Sequence, residues 1–294
     1  MRRPGAAQAL ARPVGFGSVG PMIRKAALLP LLAVAVALAG GAAAPAGDWR
    51  PLDPENTLVV ETSKGRIVVE MRPEFAPQAV ARVKLLAREK VYDGLLFHRV
   101  IDGFVDQTGN PNNRDGGASA HPDLPAEFSF KLAPGAAVVA VERSDGVEGF
   151  VGATPFAGVS RAETARAGDG GLRAWGAYCA GVVGMGRQAD PGSANSEIFF
   201  MRGPARRLDH EYAVWGRVVQ GQAVVRAIRT GEPPADPDRM LRVAVAADLP
   251  AAARPRLEVL DTRGPAFRAR LAALKRREGA AFSVCDVPIP VRAR

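Results

Sequence analysis

One arginine and one glutamine stand among aromatic and aliphatic residues in the run Phe97-His98-Arg99-Val100-Ile101-Asp102-Gly103-Phe104-Val105-Asp106-Gln107-Thr108-Gly109. In an extended run, alternation puts Phe97, Arg99 and Ile101 on one face and His98 and Val100 on the other. A guanidinium aimed into an apolar surface is too costly to leave unpaired, so it marks a site. The competing account is a half-buried strand whose arginine snorkels to water. The chemistry open to such a site is electrostatic, a fixed cationic donor in a dry groove. Other chemistries find less support. The chain has three histidines, His98, His121 and His210, with no HxH, HExxH or Cys/His cluster, so no metal is expected. Ser193 or Ser196 with His210 and Asp209 would suggest a hydrolase, but no nucleophile elbow accompanies them. Gly181-Val182-Val183-Gly184-Met185-Gly186 lacks the GxGxxG spacing of a nucleotide loop.

Two later segments change the weight of the first. Gly181 to Arg187 leads through a polar loop into Ser193-Ala194-Asn195-Ser196-Glu197-Ile198-Phe199-Phe200-Met201, and Leu208 to Gly221 follows. Taken in this order, the three segments resemble the cyclophilin family of peptidyl-prolyl cis-trans isomerases. The family pattern Phe-His-Arg-Val-Ile-x-x-Phe-x-x-Gln-x-Gly stands without a gap from Phe97 to Gly109. The resemblance runs from about Leu58 to Ile228, around a long insertion.

That resemblance implies an enzyme that accelerates rotation about X–Pro bonds with no cofactor and no metal. The barrier is near 20 kcal/mol, because the nitrogen lone pair is delocalised into the carbonyl. Lowering it by about 7 kcal/mol gives roughly a 10⁵-fold acceleration. The resemblance makes Arg99 the donor and Gln107 the residue that holds it and the substrate backbone. It puts Phe104, Val105, Phe199 and Leu208 around the proline ring, and Tyr212 where many animal members have His. Gly186 and Arg187 fall on the strand expected to pair with the peptide. His98 is expected to point away from the groove. Glu197 stands where the family has Gln, free to pair with Arg99 or an approaching Lys or to sit at the groove edge. Arg207 replaces the Trp that binds cyclosporin, which implies weak inhibition. The alternative function is a proline-peptide-binding chaperone with little or no turnover.

These residues need a scaffold. Leu58–Thr62 and Arg66–Met71, joined by Ser63-Lys64-Gly65, read as a β-hairpin. Ala76 to Lys90 has helical spacing, with Pro77 suited to the first turn. Phe97–Val105, Phe199–Met201 and Ala213–Val219 read as strands, and Gly221–Arg229 as a second helix. The fold class expected is mainly β with two capping helices, a closed antiparallel barrel that leaves no edge exposed. The expected domain spans 55–235, with an insertion at about 111–178. That insertion holds an extra hairpin from Val138–Val141 and Gly149–Val151, then a loose Gly168-Asp169-Gly170-Gly171 loop. A C-terminal α/β extension, 236–294, should contain a strand (Leu241–Ala246), a helix (Pro265–Arg277) and an apolar end (Phe282–Pro288).

Composition bounds the setting. Hydrophobic residues make up 47% of 294, enough for a packed core. The formal charge is +9, but five of the 39 basic residues precede Gly47, and the remaining 34 face 30 acids, leaving +4. No basic tract with interleaved aromatics follows, so nucleic acid is not an expected partner. The expected partners are proline-containing polypeptides, met by a monomer. Arg24-Lys25, the apolar run Ala26–Ala39 and the small residues to Gly47 read as a secretory signal over 1–46, cleaved after Ala46. Met22 is an alternative start, which would make 1–21 an overrun. The expected location is the periplasm, with an uncleaved signal as the alternative inner-membrane tether. An oxidising space would allow Cys179 and Cys285 to pair, or both could remain buried thiols.

Overall fold

The chain doubles back at Ser63-Lys64, and its two arms pair from Thr57↔Glu70 to Thr62↔Gly65. The structure is a computed structural model and describes residues 47–168 and 170–294, so the signal-like segment and Asp169 lie outside the described residues. The strands are β1 (Trp49–Pro51), β2 (Thr57–Thr62), β3 (Gly65–Met71), β4 (Arg99–Ile101), β5 (Val105–Thr108), β6 (Phe130–Leu132), β7 (Val138–Glu142) and β8 (Val147–Val151). They continue as β9 (Thr154–Gly158), β10 (Leu172–Gly176), β11 (Val182–Met185), β12 (Ile198–Met201), β13 (Val214–Gln220), β14 (Met240–Val245), β15 (Leu257–Leu260) and β16 (Val291–Ala293). The helices are α1 (Pro77–Arg88), α2 (Arg161–Ala167), α3 (Gln222–Ala227) and α4 (Pro265–Glu278).

Eight strands form one antiparallel sheet in the order β14-β2-β3-β13-β11-β12-β5-β4. Paired strands do not close it into the barrel expected from the sequence. Isolated bridges Leu96↔Arg239 and Val100↔Gly231 join its edges instead, with Phe97 N donating to Asp238 O at 2.9 Å. β14 lies beyond residue 235 and still pairs with β2, so the sheet extends past the expected domain boundary. Inside the curl, Leu58, Val60, Ile67, Val69, Phe200 and Trp215 pack with Val80, Val83 and Leu86 of α1 and Val225 of α3. Pro77 occupies the first turn of α1, whose N-cap Ala76 offers no side-chain acceptor. Glu127 supplies one from the insertion, accepting from Gln78 N at 3.0 Å and Ala79 N at 2.8 Å.

The outer face of the first hairpin is also covered. Val68 packs with Leu257 and Val259 of β15, and Val59 with Ala246 and Leu249. The insertion is larger than one hairpin: it builds a five-stranded sheet, β6-β10-β9-β8-β7, and the helix α2. Phe150 from this sheet meets Phe267 of α4 edge-on at 5.5 Å. Phe282, Val284 and Val287 of the tail join the same cluster, which reaches Val182 and Met201 of the main sheet. Fully burying each such side chain contributes roughly 1.5–3 kcal/mol. Cys179 and Cys285 are joined by a disulfide across 106 residues.

Candidate active site

The motif expected to form one strand folds as a hairpin. Asp102-Gly103 turns the chain, with Gly103 at φ +66° and Phe104 N donating to Ile101 O at 3.0 Å. The turn sets Arg99 directly opposite Gln107, and β12 then sets Phe199 opposite Gln107 on its other side. Arg99, Gln107 and a large ring thus fall on three adjacent strands.

Arg99 is held at two points. Nη1 donates to Gln107 Oε1 at 3.0 Å and Nε to Glu232 Oε2 at 2.8 Å. Nη2 has no partner among the described residues. Gln107 Nε2 donates in turn to Glu197 Oε1, and Asn110 Nδ2 donates to Glu197 Oε2. Glu197 is almost fully buried and does not bond Arg99, so the Arg99 pairing does not describe it. His98 is buried behind the carboxylate, its Nε2 3.6 Å from Glu197 Oε2, and does not line the groove.

All ten expected site residues line one groove of about 310 Å³: Arg99, Phe104, Val105, Gln107, Gly186, Arg187, Glu197, Phe199, Leu208 and Tyr212, joined by Asp115. Phe199 stacks on Tyr178 at 5.7 Å and meets Tyr212 edge-on at 5.9 Å. Gly184 makes this packing possible, because a Cβ there would collide with the Phe199 ring. Burial pushes the Tyr178 hydroxyl well above its ordinary pKa, so the apolar side of the groove stays uncharged. A ring-lined recess beside a pinned guanidinium can hold a compact apolar ring and hydrogen-bond the amide next to it.

Comparison with known proteins identifies this arrangement. Residues 57–245 match the family model described as cyclophilin type peptidyl-prolyl cis-trans isomerase/CLD. The chain belongs to the cyclophilin family. It is a peptidyl-prolyl cis-trans isomerase of that type. A probable peptidyl-prolyl cis-trans isomerase of Brucella suis is 33% identical over 212 residues, covering 67% of this chain and 85% of the relative. Peptidyl-prolyl cis-trans isomerase-like 1 of Bos taurus is 28% identical over 188 residues, covering 64% and 85%. The crystal structure of the cyclophilin AquaCyp293 from Hirschia baltica is 33% identical, with a TM-score of 0.76, and covers 83% of this chain and 92% of that one.

Within this cyclophilin, two rim arginines take up positions that spacing alone does not give. Gly186 and Arg187 lie just past the end of β11 rather than on the strand. The Arg187 guanidinium stacks over Tyr212 at 4.5 Å and over Phe128 at 5.3 Å, and it donates to Glu211 O and Gln188 O at 3.1 and 2.9 Å. Arg207 lies over the Phe104 ring at 4.4 Å. Glu232, Asn110 and Asp115 escaped sequence reasoning. Glu232 lies 133 residues from Arg99, and no local pattern announces such a contact. The serines do not assemble a nucleophile: Ser193 Oγ donates to Asp190 O and Ser196 Oγ to Asn110 Oδ1, while His210 packs against Trp175. Among the described residues no cluster of His, Cys, Asp and Glu suits a metal.

Proposed function

We propose that Arg99 is the group that lowers the isomerisation barrier, acting on X–Pro bonds of proline-containing polypeptides seated in the Phe199 groove. As the bond twists, the nitrogen lone pair leaves conjugation and pyramidalises, and a cationic N–H donor aimed at it stabilises that state more than either planar isomer. The observation that carries this is the two-point hold on Arg99, through Nε and Nη1, which leaves Nη2 unengaged among the described residues. Gln107 orients the guanidinium and meets the substrate backbone. Phe104, Val105, Phe199, Leu208 and Tyr212 enclose the proline ring, with Gly186 and Arg187 at the peptide's edge. The chain acts as a monomer, without nucleic acid and without a cofactor.

Arg99→Ala should lower kcat/KM about 10²-fold or more while leaving the fold intact, the scale of losing one preorganised donor. Arg99→Lys should also be poor, because a point charge cannot keep both holds and still donate. NMR exchange on a short X–Pro peptide measures this. Near-normal turnover in the folded Ala variant would move the donor elsewhere, and an inactive native protein would favour the chaperone alternative.

The substrates are inferred to be exported proteins in the periplasm, whose folding the enzyme assists. The Arg24–Ala46 pattern supports this, and so does the Cys179–Cys285 bridge, which persists in oxidising compartments. Among the described residues no helix is long and apolar enough to cross a membrane. N-terminal sequencing of protein from its own cell envelope should find a chain beginning near Gly47. A start at Met1 or Met22 in the envelope would support the tethered form, and the same start in the cytosol would overturn export.

A further inference from the structure

Two side-chain NH₂ groups converge on the carboxylate of Glu197, one on each oxygen, from Gln107 and Asn110. Each amide makes a further contact that fixes its orientation. Gln107 Oε1 faces Arg99 Nη1, which can only donate. Asn110 Nδ2 also donates to the Arg114 carbonyl, which can only accept, at 2.7 Å. Position 197 must therefore accept twice and donate nothing. An ionised carboxylate meets that demand and a carboxamide cannot, since its single oxygen satisfies one NH₂ and leaves the other facing an NH₂ of its own. One relief is a flip of Gln107, which turns its NH₂ toward the Arg99 guanidinium and breaks the Nη1 hold.

We propose that Glu197 is a positioning residue for isomerisation: its buried carboxylate locks the Gln107 amide so that the carbonyl, not the NH₂, faces Arg99. The inference rests on the assignment of Arg99 as donor. Glu197 touches Gln107 and not Arg99, so its effect is exerted through the amide. Its side chain is only 6% exposed, too enclosed to recognise substrate charge. Gly186 belongs to the same device, because a Cβ there would collide with Glu197 Oε1.

The test is isomerisation of one X–Pro peptide by the native chain, by Glu197→Gln, and by Glu197→Gln combined with Asn110→Ala, with kcat and KM measured separately by NMR exchange. In the double variant the second NH₂ is gone, and the Arg114 carbonyl loses a donor without meeting another acceptor. The carboxamide oxygen is then free to accept from Gln107. The proposal expects Glu197→Gln to lose about tenfold in kcat with KM within twofold, and the double variant to recover at least half of that loss. Full kcat in Glu197→Gln overturns it, as does a loss confined to KM. An inactive native chain would overturn the Arg99 assignment beneath it, an outcome distinct from both. Should the variants not fold, the native protein still decides. Gln107 side-chain NH₂ protons should show NOEs to the Glu197 methylenes and none to Arg99 guanidinium protons, and the reverse pattern overturns the proposal.

Discussion

Asp106 sits between two groove residues, Val105 and Gln107, and points away from both. Alternation sends it to the far side of β5, where Arg202 Nη1 donates to it at 2.8 Å. The same guanidinium donates to Val225 O, Ile228 O and Arg226 O around α3, and to Asp102 at 3.2 Å. One buried Arg202–Asp106 contact thus fixes the back of the β4–β5 hairpin to a helix. Burial pushes Asp106 up to about 7, with Arg202 opposing and the nearby Asp238 and Asp102 carboxylates adding to the rise. A carboxyl whose folded pKa lies above its unfolded value takes up a proton on folding. Its stabilising contribution is full below about pH 4 and is lost as pH rises through about 7. The stability difference between the native chain and Asp106→Asn should therefore fall by about 2–4 kcal/mol between pH 4 and 7. Urea unfolding across that range measures it, and a flat difference would show that Asp106 does not titrate there. Glu70, Asp238 and Asp261 have lowered pKa values, so their contributions are full near neutral pH and decline as pH falls through the ordinary carboxylate range toward their folded values.

Among the elements, the legible ones are those whose signal is local. The Leu58–Met71 hairpin, α1 with its Pro77 start and α4 from Pro265 emerge from alternation, periodicity and punctuation. The groove residues were legible through the family pattern, which carries spatial neighbours that no single segment reveals. Three features were missed for physical reasons. Asp102-Gly103 is a turn dipeptide, but it stands inside a run apolar enough to read as continuous strand. Ser160 caps α2 by accepting from Glu163 N at 3.2 Å, and the Ser-x-x-Glu spacing was there to see. The helix itself is short and buries no residue, so it has no apolar stripe to betray it. The five-stranded insertion sheet depends on pairings such as Ala174↔Phe130, with a helix between the partner strands. Register at that range is set by packing. Glu197 shows the same limit: its departure from the family pattern was visible, but its two donors come from positions 107 and 110.

At the scale of the whole molecule, the insertion and the tail share one apolar cluster with the wall of the groove. Tyr178, stacked beneath Phe199, is followed at once by Cys179, which is bonded to Cys285 in the tail. Closing a loop of 106 residues restricts the unfolded chain and stabilises the fold by up to roughly 4–5 kcal/mol on the chain-entropy account. The tail does not depend on that bond alone. Phe267, Leu271, Phe282, Val284 and Val287 are buried against the insertion and the main sheet. Cys179→Ser with Cys285→Ser should therefore unfold at lower denaturant, by a few kcal/mol, yet keep the tail docked and turnover within about twofold while folded. Neither cysteine lines the groove, so a large loss of kcat would mean that the bond positions Tyr178 and Phe199 as well as stabilising the fold. Equal unfolding midpoints for the native and double-Ser chains would show that the apolar contacts suffice. Hydrogen exchange separates the remaining alternatives. Protection in α4 that survives removal of the bridge places the anchoring in the packed side chains, and its collapse places it in the disulfide.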